Sequence, residues 1–171
     1  MEFFEVLQRR RSIRRFEKRP VEREKIERLL EAAFLSPSSH NHRPWQLTVV
    51  TARQLLDKLS QSKEGAQGLR NAPAAIVVAA DREKSDVWIE DAAILAHTIN
   101  LAAVDLGLGS FWVQIRNRMH DEKLTAEQYV RELLDLPANL GVVCIIGFGY
   151  PLREKQPNPM RIEWDKVRWE E

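Results

Sequence analysis

Seven basic side chains crowd into eleven residues near the start of the chain: Arg9, Arg10, Arg11, Arg14, Arg15, Lys18 and Arg19, against one acid, Glu17. A guanidinium presents a planar fork of donors that matches phosphate oxygens, and Ser12 adds a hydroxyl donor inside the run. The segment is therefore a candidate anion site. A solvated basic surface would have the same composition. Nucleic acid is a third reading, since basic runs neutralise backbone phosphates. Against it, few aromatic residues interleave with the cations, and 26 Lys+Arg against 25 Asp+Glu leave the whole chain at +1.

The segment Pro37-Ser38-Ser39-His40-Asn41-His42-Arg43-Pro44-Trp45 is the second cluster, with five hydrogen-bonding side chains and two imidazoles in nine residues. Two His at i and i+2 without nearby Cys or carboxylate make a poor zinc set, so no metal site is expected. A capped turn with exposed histidines is the plain alternative. Leu106-Gly107-Leu108-Gly109-Ser110-Phe111-Trp112-Val113-Gln114 is the third cluster, where two glycines let the backbone approach a flat or bulky group. A Gly-Leu-Gly turn after a helix is also ordinary C-cap chemistry. Walker A, GxSxG, HExxH and dinucleotide fingerprints are missing. His97 falls on a strongly apolar segment and reads as a core histidine rather than a catalyst.

These clusters need elements to hold them. Phe3, Val6 and Leu7 predict a short helix over 2–10, and Ile26, Leu29, Leu30, Ala33 and Phe34 a regular amphipathic one over 22–35. Trp45 to Thr51 reads as a strand, Ala52 to Ser60 as a helix, and Gln61 to Gly68 as a mobile glycine-containing connection. Ala74–Ala80, Ser110–Ile115 and Val142–Phe148 read as further strands. From Ser85, a candidate N-cap, to Leu106 runs a helix apolar on nearly all faces, which suits burial against a second subunit. Thr125-Ala126-Glu127-Gln128 has the form of a capping box opening a helix to Leu136. The class is α+β, with a central mixed β-sheet flanked by helices.

A length of 171 residues suits one domain spanning 1–171, with 44% apolar residues sufficient for a core. The tail from Leu152 to Glu171 carries Trp164, Val167 and Trp169 and is expected to lie on a surface, that of the partner subunit. No apolar run reaches the ~18 residues that a membrane span requires, and no secretory leader is visible. The single cysteine, Cys144, sits in an apolar run and reads as a structural thiol in a reducing, cytoplasmic setting.

Taken in order, the three clusters together with Asp91, Asn100-Leu101, Gly149-Tyr150-Pro151 and Arg161 resemble the nitroreductase family of dimeric FMN-dependent oxidoreductases. The resemblance implies that Arg10, Ser12 and Arg161 hold the FMN phosphate and that Arg11 makes a neighbouring flavin contact. It implies that Arg14 lies near the N1/C2 carbonyl end of the ring, where a cation favours reduction. Pro37, Ser38, Ser39 and Asn41 would come from the other subunit of a homodimer. Gln114 and Ile115 would present backbone groups to the flavin N5 edge, with Trp112 or Phe111 walling the pocket. The implied activity takes hydride from NADH or NADPH and passes it in a second step to an electron-poor acceptor, a nitroaromatic or quinone. Flavin fragmentation, dehalogenation and heterocycle oxidation are alternative chemistries within the superfamily. Arg43 stands where many members carry glutamine, and 117–128 leaves little room for a large helical cover over the pocket, so a more open acceptor site is expected.

Overall fold

The computed structural model describes residues 1–170. Five helices surround one sheet: α1 (Phe3–Arg9), α2 (Arg23–Phe34), β1 (Trp45–Val50), α3 (Arg53–Leu59), β2 (Ala74–Asp81), α4 (Trp88–Asp105), β3 (Gly109–Gln114), α5 (Ala126–Leu133) and β4 (Leu140–Gly149). The strand order is β1-β2-β4-β3, and each neighbouring pair runs antiparallel. The expected mixed character of the sheet is confined to an isolated parallel bridge between Ser12 and Ser110. Strand direction depends on distant pairing partners, so the apolar pattern of each strand alone does not dictate it.

β2 and β4 are central and covered on both faces, which is why both read as nearly continuous apolar runs. Ile76, Val78 and Ala80 face one layer with Leu29, Leu95, Ala96 and Ile99 from α2 and α4. Ala75, Val77 and Ala79 face the other, against Leu56, Leu59, Leu69 and Val130. A register shift between Val78 and Ala79 marks a bulge against β4. The periodic apolar residues of α2 produce its buried stripe of Ile26, Leu29 and Ala33, as the 3.6-residue repeat requires.

Three local expectations change. Ser85 is not the N-cap of α4, which begins at Trp88; its hydroxyl accepts from the Val87 N–H at 3.3 Å and donates to Asp91 at 3.0 Å. The 61–68 connection is tied down at two points, with Ser62 and Ala66 buried between exposed residues, and its last two residues enter a 3-10 turn at Gln67–Asn71. His97 lies exposed on the outer face of α4 instead of in the core. The Thr125 capping box is present, each of Thr125 and Gln128 satisfying the other's backbone N–H. Burial pushes the Cys144 thiol well above its ordinary pKa, which keeps it protonated and unreactive.

Candidate functional site

The basic segment leaves α1 and runs along the start of β3. Ile13 donates its N–H to the Ser110 carbonyl at 2.9 Å, which fixes Ser12 beside Ser110. A Cβ at Gly109 would lie 2.8 Å from the Ile13 Cβ, so this close approach requires glycine there. Behind it, Ser110 donates its hydroxyl to the buried Asn100 of α4 at 2.7 Å, and Asn100 donates to the Ala96 carbonyl at 3.0 Å. One α4 side chain thus ties the strand that ties the basic segment.

The fold sorts the seven cations. Arg9 pairs with Glu5 at 2.9 Å and Arg19 with Glu22 at 2.9 Å. Arg11 donates to the Gln156 carbonyl. Among the described residues Arg10, Arg14, Arg15 and Lys18 have no carboxylate partner. The Arg14 guanidinium stands over the Phe111 ring, 5.9 Å from its centroid. Phe111 itself is buried against Phe16, Gly68 and Gly147, so it floors the position of Arg14 and does not wall an open pocket. Although His97 faces outward, partial desolvation of its ring, and secondarily the charge of nearby Arg10, hold the imidazole below its ordinary pKa.

The tail crosses this segment. Asn158 donates its N–H to the Gln8 carbonyl at 2.8 Å, Lys155 Nζ donates to the Ser12 carbonyl at 2.9 Å, and the Asn158 side chain reaches the Arg10 carbonyl at 3.5 Å. Arg161 follows three residues later and is exposed. Lys155 and Asn158 carried no sequence signal, because a polar tail gives no periodicity that names its docking site. Between the segment, the tail and the Gly107–Gly109 turn lies a cleft of about 270 Å³ lined by Arg9 and Arg11; a separate, wider groove of about 680 Å³ has Arg15, Lys18, Arg53 and Arg70 on its walls.

The second cluster is a tight turn over the start of α4. Ser39–Asn41 forms a 3-10 turn, and His40, Asn41 and Arg43 all have left-handed backbone, at φ 47°, 57° and 48°. The Ser39 N–H donates to Asp91 Oδ1 at 2.9 Å, and the Arg43 N–H to Ser38 Oγ at 2.9 Å. The Arg43 guanidinium donates to the Phe34 carbonyl at 2.8 Å, at the C-terminal end of α2. The added charge of Arg43 therefore closes a helix end, where a cation complements the exposed carbonyls. His40 and His42 are exposed with ring centroids 5.6 Å apart, and no group of three or more His, Cys, Asp or Glu among the described residues is placed to hold a metal.

Gln114 lies four residues beyond Ser110 on β3, about 14 Å away at the rise of an extended strand. Its side chain accepts from Trp112 Nε1 at 2.9 Å and donates to the Arg116 carbonyl at 2.9 Å. Ile115 has its side chain wholly in the core, and its N–H is taken by the Val143 carbonyl at 3.1 Å.

Within one copy, then, the backbone sets Arg10, Ser12 and Arg14 beside the start of β3, the adjoining cleft is lined by Arg9 and Arg11, and a strained, anchored loop stands at the N-terminus of α4. The nitroreductase family matches residues 7–67 and 60–150 of this chain, taking in all three clusters. The chain belongs to the nitroreductase family. Among solved nitroreductases, an FMN-dependent nitroreductase from Clostridium difficile R20291 is 45% identical with a TM-score of 0.95, covering 98% of this chain and 99% of its own. A protein of Archaeoglobus fulgidus, provisionally named NADH dehydrogenase/NAD(P)H nitroreductase, is 39% identical over 96% of this chain and 98% of its own length. A provisionally assigned nitroreductase from Desulfovibrio desulfuricans, solved in complex with FMN, is 26% identical with a TM-score of 0.80, covering all of this chain (100%) and 97% of its own.

Proposed function

We propose that this nitroreductase is a homodimeric, FMN-dependent oxidoreductase of the cytoplasm that draws electrons from NADH or NADPH and delivers them to an electron-poor small molecule, a nitroaromatic or a quinone, donor and acceptor using one site in turn. The observation that carries the reading is the sorting of the basic run. Arg10 and Arg14 are left without carboxylate partners on either side of Ser12, on a segment that Gly109 lets pack directly onto the edge strand β3. Unpaired guanidinium groups beside a hydroxyl suit a phosphate and an electron-rich ring edge.

In this reading Arg10, Ser12 and Arg161 hold the phosphate, with Arg11 as a neighbouring contact whose position the Gln156 carbonyl fixes. Arg14, above Phe111, stands at the ring edge where negative charge accumulates on reduction. Gln114 borders the reactive edge at the far end of β3, while Ile115, expected beside it, packs behind in the core with its N–H and carbonyl already engaged by Val143 and Arg118. Pro37, Ser38, Ser39 and Asn41 reach the site of a second copy, and the tail 152–171 extends onto that copy after its crossing at 155–158. FMN, when bound, supplies the hydride-accepting and hydride-donating centre, so the protein needs no nucleophile of its own. The chain's residues bind, orient and set the electrostatics.

The test is spectroscopic. The purified protein incubated with FMN and freed of excess is expected to be yellow, with flavin absorbance that bleaches on anaerobic addition of NADH or NADPH and returns when a quinone is added. A folded preparation that neither retains nor rebinds FMN overturns the reading.

A further inference from the structure

The loop over α4 is built against its own backbone preferences. Three of the four residues from His40 to Arg43 are non-glycine residues in the left-handed region, where a Cβ crowds the following carbonyl. Such geometry persists only where surrounding contacts over-determine it. Two of the contacts are made by Arg43: its N–H to Ser38 Oγ within the loop, and its guanidinium to the Phe34 carbonyl at the end of α2. The third comes from a rigid element. Asp91, 3% exposed and 52 residues distant in sequence, accepts the Ser39 N–H on one carboxylate oxygen and the Ser85 hydroxyl on the other.

Asp91 is itself held. It occupies the first turn of the 18-residue α4, where free N–H groups and the helix dipole favour a carboxylate. Ser85, which donates to it, accepts in turn from the Val87 N–H. Both oxygens of Asp91 therefore act as acceptors for donors of fixed position, and the loop turns over the same helix that carries Asn100, the anchor of Ser110 and thereby of Ser12. One helix sets both clusters.

We infer that Asp91 is a positioning residue: through the Ser39 N–H it holds the Pro37–Asn41 loop in its ligand-ready shape before any ligand binds, so that FMN affinity depends on a carboxylate that need not touch it. This rests on the reading that the loop reaches a flavin. Preorganisation strengthens binding by removing an ordering cost that would otherwise fall at the moment of association. Asparagine at 91 can still accept from Ser39 with its Oδ1 and donate to Ser85 with its amide, whereas alanine can do neither.

Asp91→Ala and Asp91→Asn, compared with the parent as full-length protein, test the inference by residue-resolved amide exchange before FMN is added and by fluorescence titration with FMN. In the parent, the Ser39 amide is expected to exchange slowly. In Asp91→Ala the amides of 39–43 exchange faster while those of β2 and β4 keep their protection, and FMN binds at least tenfold more weakly. Asp91→Asn restores the protection of Ser39 and binds FMN within about threefold of the parent. Free exchange of Ser39 in the parent overturns the inference, and requires no variant to fold. So does an Asp91→Ala protein with a loosened loop and parental FMN affinity, or an Asp91→Asn protein as impaired as Asp91→Ala. A parent that binds no FMN at all, with Ser39 protected and released in Asp91→Ala, instead overturns the flavin reading and the affinity claim while leaving the anchoring intact.

Discussion

At the scale of single residues, the fold divides the basic run into paired and unpaired cations. Arginine, serine and their crowding make an anion site one candidate reading of the composition, because the guanidinium fork is a property of the side chain. Which arginine is free depends on Glu5, Glu22 and Gln156, the last of them far away in sequence. His97 shows the same limit. An apolar segment suggested burial, yet the helical repeat puts it on the outer face of α4 beside Arg10. Arg10→Ala is expected to weaken FMN binding tenfold or more, since a charged hydrogen bond contributes about 1.5–3 kcal/mol; a fluorescence titration matching the parent would remove Arg10 from the phosphate site. Arg14→Ala separates binding from electronics. Its loss should shift the flavin midpoint potential negative with a smaller change in affinity, because the cation acts on charge that appears only on reduction. Spectroelectrochemistry giving the parental potential would take Arg14 away from the ring.

At the scale of elements, what is encoded locally was readable. The apolar repeat of α2 and the Thr125-to-Gln128 box of α5 involve neighbours within a few residues, and both appear where the pattern puts them. The antiparallel order of the sheet and the burial of Ser62 and Ala66 in the 61–71 connection depend on partners elsewhere in the chain, and local pattern could not supply them. Glu22 is another such case. It accepts from the Tyr150 hydroxyl at 2.6 Å and from Arg19 at 2.9 Å, while the Arg19 guanidinium stacks on the Tyr150 ring at 3.7 Å. This latch joins the end of the basic segment and the start of α2 to the end of β4. The two hydrogen bonds, Tyr150 first, lower the Glu22 pKa to about 2 from 4.5. A depressed carboxylate stabilises the fold fully above its unfolded pKa, and that contribution disappears as pH falls from about 4.5 through about 2. Urea midpoints of the parent should therefore fall more steeply across that window than those of Glu22→Gln. Because the group is solvent-exposed, the difference should shrink in high salt. Parallel pH profiles at low salt would show that the latch carries no stability.

At the scale of the whole molecule, the chain exposes more apolar surface than a lone copy needs. Phe34 and Leu35 at the end of α2, Ile94 on α4, and Met160, Ile162, Trp164 and Trp169 on the tail all face outward, Leu35 with 84% and Trp169 with 71% of its surface free. Large exposed apolar side chains are candidates for an interaction surface where they lie together. The two halves of the proposed site are also unlinked within one copy: among the described residues, no hydrogen bond or ion pair joins 37–43 to 9–15. Both facts have one explanation if two copies pair, with the α2 end and α4 covered and the loop of each brought to the arginines of the other. Coupling between assembly and cofactor binding then follows from mass action, since a ligand held by both copies stabilises the pair. Leu35→Asp places a charge in the surface that pairing would cover and substitutes none of the proposed FMN contacts. Sedimentation velocity should show the parent as a dimer and the variant shifted toward monomer. FMN affinity in the variant should fall at low protein concentration and recover as concentration rises and dimer reforms. A Leu35→Asp monomer that binds FMN as tightly as the parent would mean that one copy holds a complete site, and the exposed apolar surface would then serve some other contact.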